Sequence, residues 1–405
     1  MSFLNNVSNY KKEILESFIK KYFEENSTDS VLGMVLCGSF KNDDNNEFSD
    51  IDVQIIMDET FSDDSNINKN GGNIVRGVEL IGKYRFEYFA RNIQGYYYEA
   101  REAHKQQKNA LLTIIGHGQI FFYKDEDSLR KIIDLQKFIL DLYSIPLPLL
   151  NEKDMIYQMY LIYEDISTLL QKYNNGSKDF LMHYYLLLEK IRKFYSRSTG
   201  CCYLPPAKVW KIYHNKEYAD RFCKSKIPDD EFILRFTECI QSDNDNFSKI
   251  NSLMSLANFC RKQLNITNLI MDDYFPKEDD DNTLLDENEI LELIVILENR
   301  RIKVNEKYVN NSEDFKYFYY IVLQMIDRFS LKINKTLKII DEQYLKLYYL
   351  AKTTDDTEEM CSLVNALIDE IKKKYESTYL KKVNPSHYKV LVKPTTWNSN
   401  KQSRF

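Results

Sequence analysis

Apolar and polar positions follow two rhythms along this chain, and the change between them divides it. Ile14, Leu15, Phe18, Ile19, Tyr22 and Phe23 recur at three- and four-residue spacing, predicting an amphipathic helix over Asn5 to Asn26. A continuous apolar run from Val31 to Cys37 follows, then Gly38-Ser39, a polar stretch, and a second apolar run from Ile51 to Ile56. That pattern predicts two strands joined by a polar connection. The Asn- and Gly-rich stretch after Ile56 predicts a loop closed by Gly71-Gly72. Val75 to Ile81 and Lys83 to Phe89 read as strands with Gly82 between them, and period-two alternation puts Arg85 and Glu87 on one face. Gln94 to Gly116 reads as a helix, His117 to Asp125 as a short strand and turn, and Ser128 to Lys137 as another helix.

Beyond Pro146 and Pro148 the rhythm is helical throughout. Glu152 to Ser198 predicts an antiparallel helical pair interrupted by Asn174-Asn175-Gly176. A loop from Thr199 enters a further helix with Pro206 in its first turn, and 213–265 continues helical. The acidic run Met271 to Glu287 reads as a linker; its three consecutive aspartates, Asp279 to Asp281, lack the glycine a calcium loop needs. Helical stretches resume over 288–383. The tail 384–405 is polar with prolines and predicts a loosely held end. No internal repeat is apparent.

Composition narrows the classes. Apolar content of 43% and charged content of 29% over 405 residues are those of a soluble globular chain with room for two or three domains. A net charge of −6, with both signs interspersed, argues against a general nucleic-acid binder, so long nucleic acid is not expected as a partner. Seven irregularly spaced cysteines without a Cys-x-x-Cys pair, beside five histidines, speak against structural zinc and for reduced thiols. No signal-type N-terminus and no membrane-length apolar run occur, so the expectation is a cytoplasmic protein without membrane association.

The chemistry concentrates between Gly38 and Asp52. In a strand, Asp50 and Asp52 project to one side about 7 Å apart, at roughly 3.3 Å rise per residue, while Ile51 and Val53 face the other. Two carboxylates on one face repel unless a cation lies between them, and a divalent metal with oxygen preference answers that need. The Gly38-Ser39 turn offers backbone N–H groups and a hydroxyl to a phosphate. Arg85, beside Glu87, suits either a phosphate or a cross-strand ion pair.

Gly38-Ser39, a gap, then Ser49-Asp50-Ile51-Asp52 resembles the signature of the polymerase-beta-type nucleotidyltransferase superfamily, in the variant similar to the antibiotic-modifying (aminoglycoside-like) adenylyltransferases and the minimal nucleotidyltransferases. The resemblance covers about 25 residues closely, and the segment from His117 to Asp125 extends it. It implies an α+β chain: a catalytic domain over 1–148 with a mixed sheet flanked by helices, then an all-α region, with a substrate-side helical domain over 149–270 and an additional helical region over 288–383. It implies that Asp50, Asp52 and a third carboxylate on a later strand, here Glu87, hold two Mg²⁺ ions, with Glu87 an alternative general base. Gly38, Ser39, Ser49 and Arg85 become phosphate contacts. So does Lys208, in the Pro-rich segment entering the helix at Pro206, although a solvent-facing lysine is the default there. Glu164, Asp165 and Glu189 are further base candidates, each also readable as an exposed helical residue. The implied reaction moves a nucleoside monophosphate from a triphosphate, ATP by analogy, to a hydroxyl of a small molecule such as an aminoglycoside-like compound. A protein- or RNA-modifying enzyme and a non-catalytic nucleotide-binding scaffold are the alternatives. The C-terminal helices could also serve a homo-oligomer interface.

Overall fold

The computed structural model describes residues 9–26, 29–41, 50–58, 74–105, 115–145, 148–201, 204–222, 226–241, 245–267, 284–383 and 387–392. Compactness divides the chain into two units, the first made of Met1–Pro146, Asp286–Glu292 and Lys382–Phe405, the second of Leu147–Leu285 and Leu293–Lys381.

The first unit contains α1 (Asn9–Glu25), β1 (Val31–Cys37), the short α2 (Gly38–Lys41), β2 (Ile51–Met57), β3 (Ile74–Ile81), β4 (Tyr84–Asn92), α3 (Ile93–Lys105), β5 (Gln119–Tyr123), α4 (Glu126–Ser144) and β6 (His387–Val392). The strands form one mixed sheet in the order β5-β1-β2-β4-β3-β6. The β2–β4 pair is parallel and the other pairs are antiparallel. Every residue of β1 is buried, which is why its sequence is continuously apolar rather than alternating.

Alternation along β2 and β4 sorts the two faces of the sheet. Ile51, Val53, Ile55, Phe86 and Tyr88 pack in one core with Leu15 and Phe18 of α1. Phe18 stacks on Phe86 with centroids 4.6 Å apart, and Tyr22 meets Tyr88 edge-on at 5.4 Å. On the other face, Val35, Cys37 and Ile56 pack with Tyr96 of α3 and with Ile132, Leu135 and Ile139 of α4. Asp125 caps α4 by accepting the Ser128 N–H at 2.8 Å.

The expectation of a nucleotidyltransferase-type mixed sheet followed by a helical region is met, with one correction. Residues 384–405 are not simply a loose tail, because His387–Val392 pairs antiparallel with β3 over Ile74 to Glu79 and adds a sixth strand. The segment is a short β-favouring run between Pro385 and Pro394, which the polar composition around it obscures.

The second unit is helical: α5 (Glu152–Asn174), α6 (Phe180–Thr199), α7 (Pro206–His214), α8 (Lys216–Phe222), α9 (Asp230–Gln241), α10 (Asn246–Gln263), α11 (Glu287–Val309, begun in the first unit), α12 (Phe315–Leu337), α13 (Glu342–Thr353) and α14 (Thr357–Tyr379). Among the described residues, no helix is long and apolar enough to cross a membrane.

Phe18 is fully buried between its aromatic neighbours. Phe18→Ala is expected to cost about 3–5 kcal/mol of stability, read by urea unfolding of the full chain.

Candidate functional site

The sheet register builds the site. β2 lies beside β4 in parallel with Asp52 level with Glu87 and Ile51 level with Phe86. On its other side Asp52 is level with Cys37, the last residue of β1. Because Ile51, Val53 and Phe86 fill the α1-side core, Asp50, Asp52 and Glu87 belong to the opposite face, at the end of β1 and the beginning of β2. Three carboxylates predicted from sequence spacing thus share one face of adjacent strands.

Gly38 fixes the approach to that face. It follows β1 with φ of +71°, in the left-handed region that favours glycine, and a Cβ built there would overlap the Asp52 carboxylate oxygen Oδ2. Main chain therefore lies directly against the acid, and any side chain would separate them. Ser39 is placed in α2, but its side chain lies outside the described residues, as does the whole of Ser49.

Two arginines attend the acids. Arg85 Nη1 lies 2.8 Å from Asp50 Oδ1, a cross-strand ion pair. Arg76 of β3 holds Glu87, its Nε donating to Oε1 at 2.9 Å and its Nη2 bonding the same oxygen. Its guanidinium also sits 5.1 Å from the centre of the Phe89 ring. Glu87 is 6% exposed, so its charge is compensated inside the protein rather than by water.

Arg76 was not singled out by the sequence reading, yet a signal for it exists. Counting back from the Gly82-Lys83 turn, Ile81 faces Tyr84 and Val78 faces Glu87, and two residues further on the same face stands Arg76. Lys41 was missed too. It ends α2, and its ammonium donates to the His117 carbonyl; burial lowers its pKa below the ordinary lysine range. Burial first, and then the Asp52 charge, pushes the Cys37 thiol far above its usual range, so Cys37 is an inert core residue.

The remaining candidates belong to the helical unit. Lys208 sits half-buried in the first turn of α7, its N–H bonded to the Pro205 carbonyl at 2.9 Å. Glu164 and Asp165 are exposed, and Asp165 accepts from Lys190 at 2.6 Å. Glu189 is not the exposed helical acid that the periodicity suggested. It is buried, bound by Arg192 through Nε at 2.7 Å and Nη2 at 2.8 Å and by the Tyr317 hydroxyl, so it has a structural role in the helical core.

The donor chemistry, three carboxylates sharing a face, suits Mg²⁺, which prefers oxygen ligands and keeps part of its water. Among the described residues no group of three or more His, Cys, Asp or Glu side chains stands close enough together to hold a metal ion. Arg85 and Arg76 bind two of the three acids, so convergence on a metal requires those pairs to open or share.

Residues 17–156 match the model of the nucleotidyltransferase domain family. A crystal structure of a nucleotidyltransferase-like protein from Exiguobacterium sibiricum is similar at 12% identity and a TM-score of 0.33, covering 62% of this chain and 75% of that one. No curated protein matches the chain.

Two outcomes test this geometry. Gly38→Ala is expected to push the Asp52 carboxylate aside, abolishing metal-dependent nucleotide binding in a titration while circular dichroism stays near wild type. Arg76→Met leaves Glu87 buried without its guanidinium and is expected to cost about 3 kcal/mol in urea unfolding.

Proposed function

We propose that this chain is a metal-dependent nucleotidyltransferase that transfers a nucleoside monophosphate, AMP from ATP by analogy, to a hydroxyl of a small-molecule acceptor of aminoglycoside-like character. The observation that carries the reading is Asp52 level with Glu87 on adjacent strands, with the Gly38 main chain against the Asp52 carboxylate. The match of residues 17–156 to the nucleotidyltransferase domain family supports it.

In this reading Asp50, Asp52 and Glu87 hold Mg²⁺. The metal supplies charge neutralisation of the triphosphate and a lowered pKa for the acceptor hydroxyl. The backbone N–H groups after Gly38, with the Ser39 and Ser49 hydroxyls, cradle the phosphates. Arg85 and Arg76, which pair with two of the acids, would stand close enough to meet phosphate oxygens held there. Glu87 alternatively takes the acceptor proton, and that role needs it released from Arg76. The net acidity of the chain favours a cationic small acceptor over a long nucleic acid.

A second reading has a specific observation behind it. Arg85 on Asp50 and Arg76 on Glu87 already compensate two of the acids, as a metal-free nucleotide-binding scaffold would require. Pyrophosphate release separates the two. Purified protein incubated with each nucleoside triphosphate, Mg²⁺ and a panel of aminoglycosides is expected to release pyrophosphate with one pairing, and Asp52→Asn to reduce that release to background. Absence of release and of labelled product with every pairing would contradict acceptor nucleotidylation and favour the scaffold.

A further inference from the structure

The helical unit contains one arrangement twice. The turn between α5 and α6 runs Lys172-Tyr-Asn-Asn-Gly-Ser177-Lys-Asp179-Phe180, and the turn between α11 and α12 runs Lys307-Tyr-Val-Asn-Asn-Ser312-Glu-Asp314-Phe315, at a constant offset of 135 residues. From Lys172 to Tyr195, 11 of 24 positions carry the same residue 135 further on. Sequence alone leaves this below notice, but the bonding is the same in both places.

The Ser177 hydroxyl donates to Asp179 at 2.6 Å, and Ser312 to Asp314 at 2.6 Å. Lys172 pairs with the first aspartate at 3.1 Å, and Lys307 with the second at 2.7 Å. The serine N–H reaches the lysine carbonyl at 2.9 Å in each, through Gly176 and Asn311 with φ of 60° and 46°. Deeper in the helices, the Tyr184 hydroxyl donates to the Cys239 carbonyl at 2.8 Å and the Tyr319 hydroxyl to the Ala351 carbonyl at 2.8 Å.

Those acceptors extend the correspondence to the next helices. Cys239 in α9 and Ala351 in α13 are 112 apart, as are the aspartates that cap the two helices, Asp229 and Asp341. Each cap accepts the N–H three residues on at 2.9 Å. Every one of the six buried positions of α10, from Lys249 to Cys260, falls on a buried position of α14, from Met360 to Ile371, at an offset of 111. Tyr163 of α5 bonds Asn258 of α10 at 2.6 Å, and their counterparts Glu298 and Asp369 are bridged by Arg301.

We infer that α5, α6, α9 and α10 and α11 to α14 are two copies of one four-helix module, and that the intervening α7–α8 segment is a functional addition to the first. The two copies meet at counterpart residues: Tyr185 and Tyr320 stack on each other, centroids 5.6 Å apart and planes 14° from parallel. The offset falls from 135 to 112 at one place, between α6 and α9. There the first copy carries 23 extra residues before Lys226-Ile-Pro-Asp229, the match of Lys338-Ile-Ile-Asp341.

The added segment is anchored on a buried pair that Tyr317 of the second copy also bonds. Glu189 and Arg192 form a buried ion pair, and the second copy has Gln324 and Asp327 in their places. A buried pair is costly to desolvate. Arg192 Nη2 also donates to the Leu204 carbonyl at 3.0 Å, two residues before Pro206 opens α7. α7 brings Lys208, Trp210 and Lys211, a cationic and aromatic set absent from the second copy. That the segment serves transfer rests on the nucleotidyltransferase reading; the duplication does not.

The test uses full-length protein. Tyr184→Phe and Tyr319→Phe are expected to lower Tm by equal amounts, about 3 °C each, since each removes the same buried bond; a loss confined to one of them overturns the duplication. Deleting 203–225 together with Glu189→Gln and Arg192→Met gives the first copy the connection length of the second. That variant is expected to keep one cooperative transition, to lose only the helical signal of α7 and α8, and to lose acceptor transfer. A variant that does not fold overturns the segment as an addition, and a folded variant with undiminished transfer overturns its function. Absence of transfer in the unaltered protein would instead defeat the nucleotidyltransferase reading and leave the tyrosine comparison standing.

Discussion

The organising constraint of the first unit is the crowding of acidic charge on one sheet face against bare main chain. Asp52 is level with Glu87 and Cys37, and Gly38 leaves no side chain between its own backbone and the Asp52 carboxylate. Carboxylates so close together, with Glu87 almost fully buried, are stable only with compensating positive charge. Arg85 and Arg76 supply it at the sheet's own register, from β4 and β3. The rest of the unit keeps that register rigid. Aromatic packing of α1 locks one face, and α3 and α4 close on the other.

Much of this was legible before any coordinates. The continuous apolar run of β1, the Gly38 turn and the alternation through Asp50 and Asp52 are local signals, and each maps onto a local structural fact. Alternation from Tyr84 to Phe89 put Arg85 and Glu87 on one face, opposite the Phe86 and Tyr88 that fill the core. What pairs with what across strands was less legible. Arg76 emerges only once the Gly82 turn sets the register, and the Arg85 choice between phosphate and Asp50 depends on the parallel alignment of β2 with β4, which no local pattern encodes. The last strand was hidden for a related reason: His387–Val392 finds its partner some 300 residues upstream, on β3.

The helical unit shows the same limit at larger scale. Helical periodicity gave the helices, but it could not tell that Glu189 lies at the core beside Arg192, since an i,i+3 acid–base pair reads equally as a solvated helix face. Nor could it show the repeated module, whose copies keep hydrogen-bonding chemistry at the turns and caps while core side chains drift among apolar types. Tyr195 stacked on Phe232 in one copy becomes Ser330 hydrogen-bonded to Tyr344 in the other, a different contact across the same two positions. Packing tolerates such exchange where volume is redistributed, whereas a capping aspartate has few substitutes.

Calorimetric titration of the full chain with ATP, GTP, CTP and UTP, with and without Mg²⁺, tests the central claim most directly when run beside the Asp50→Asn, Asp52→Asn double variant. The account predicts Mg²⁺-dependent binding of one nucleotide that the double variant loses. Binding that is indifferent to Mg²⁺ and to both substitutions, or no binding of any of the four, would contradict it.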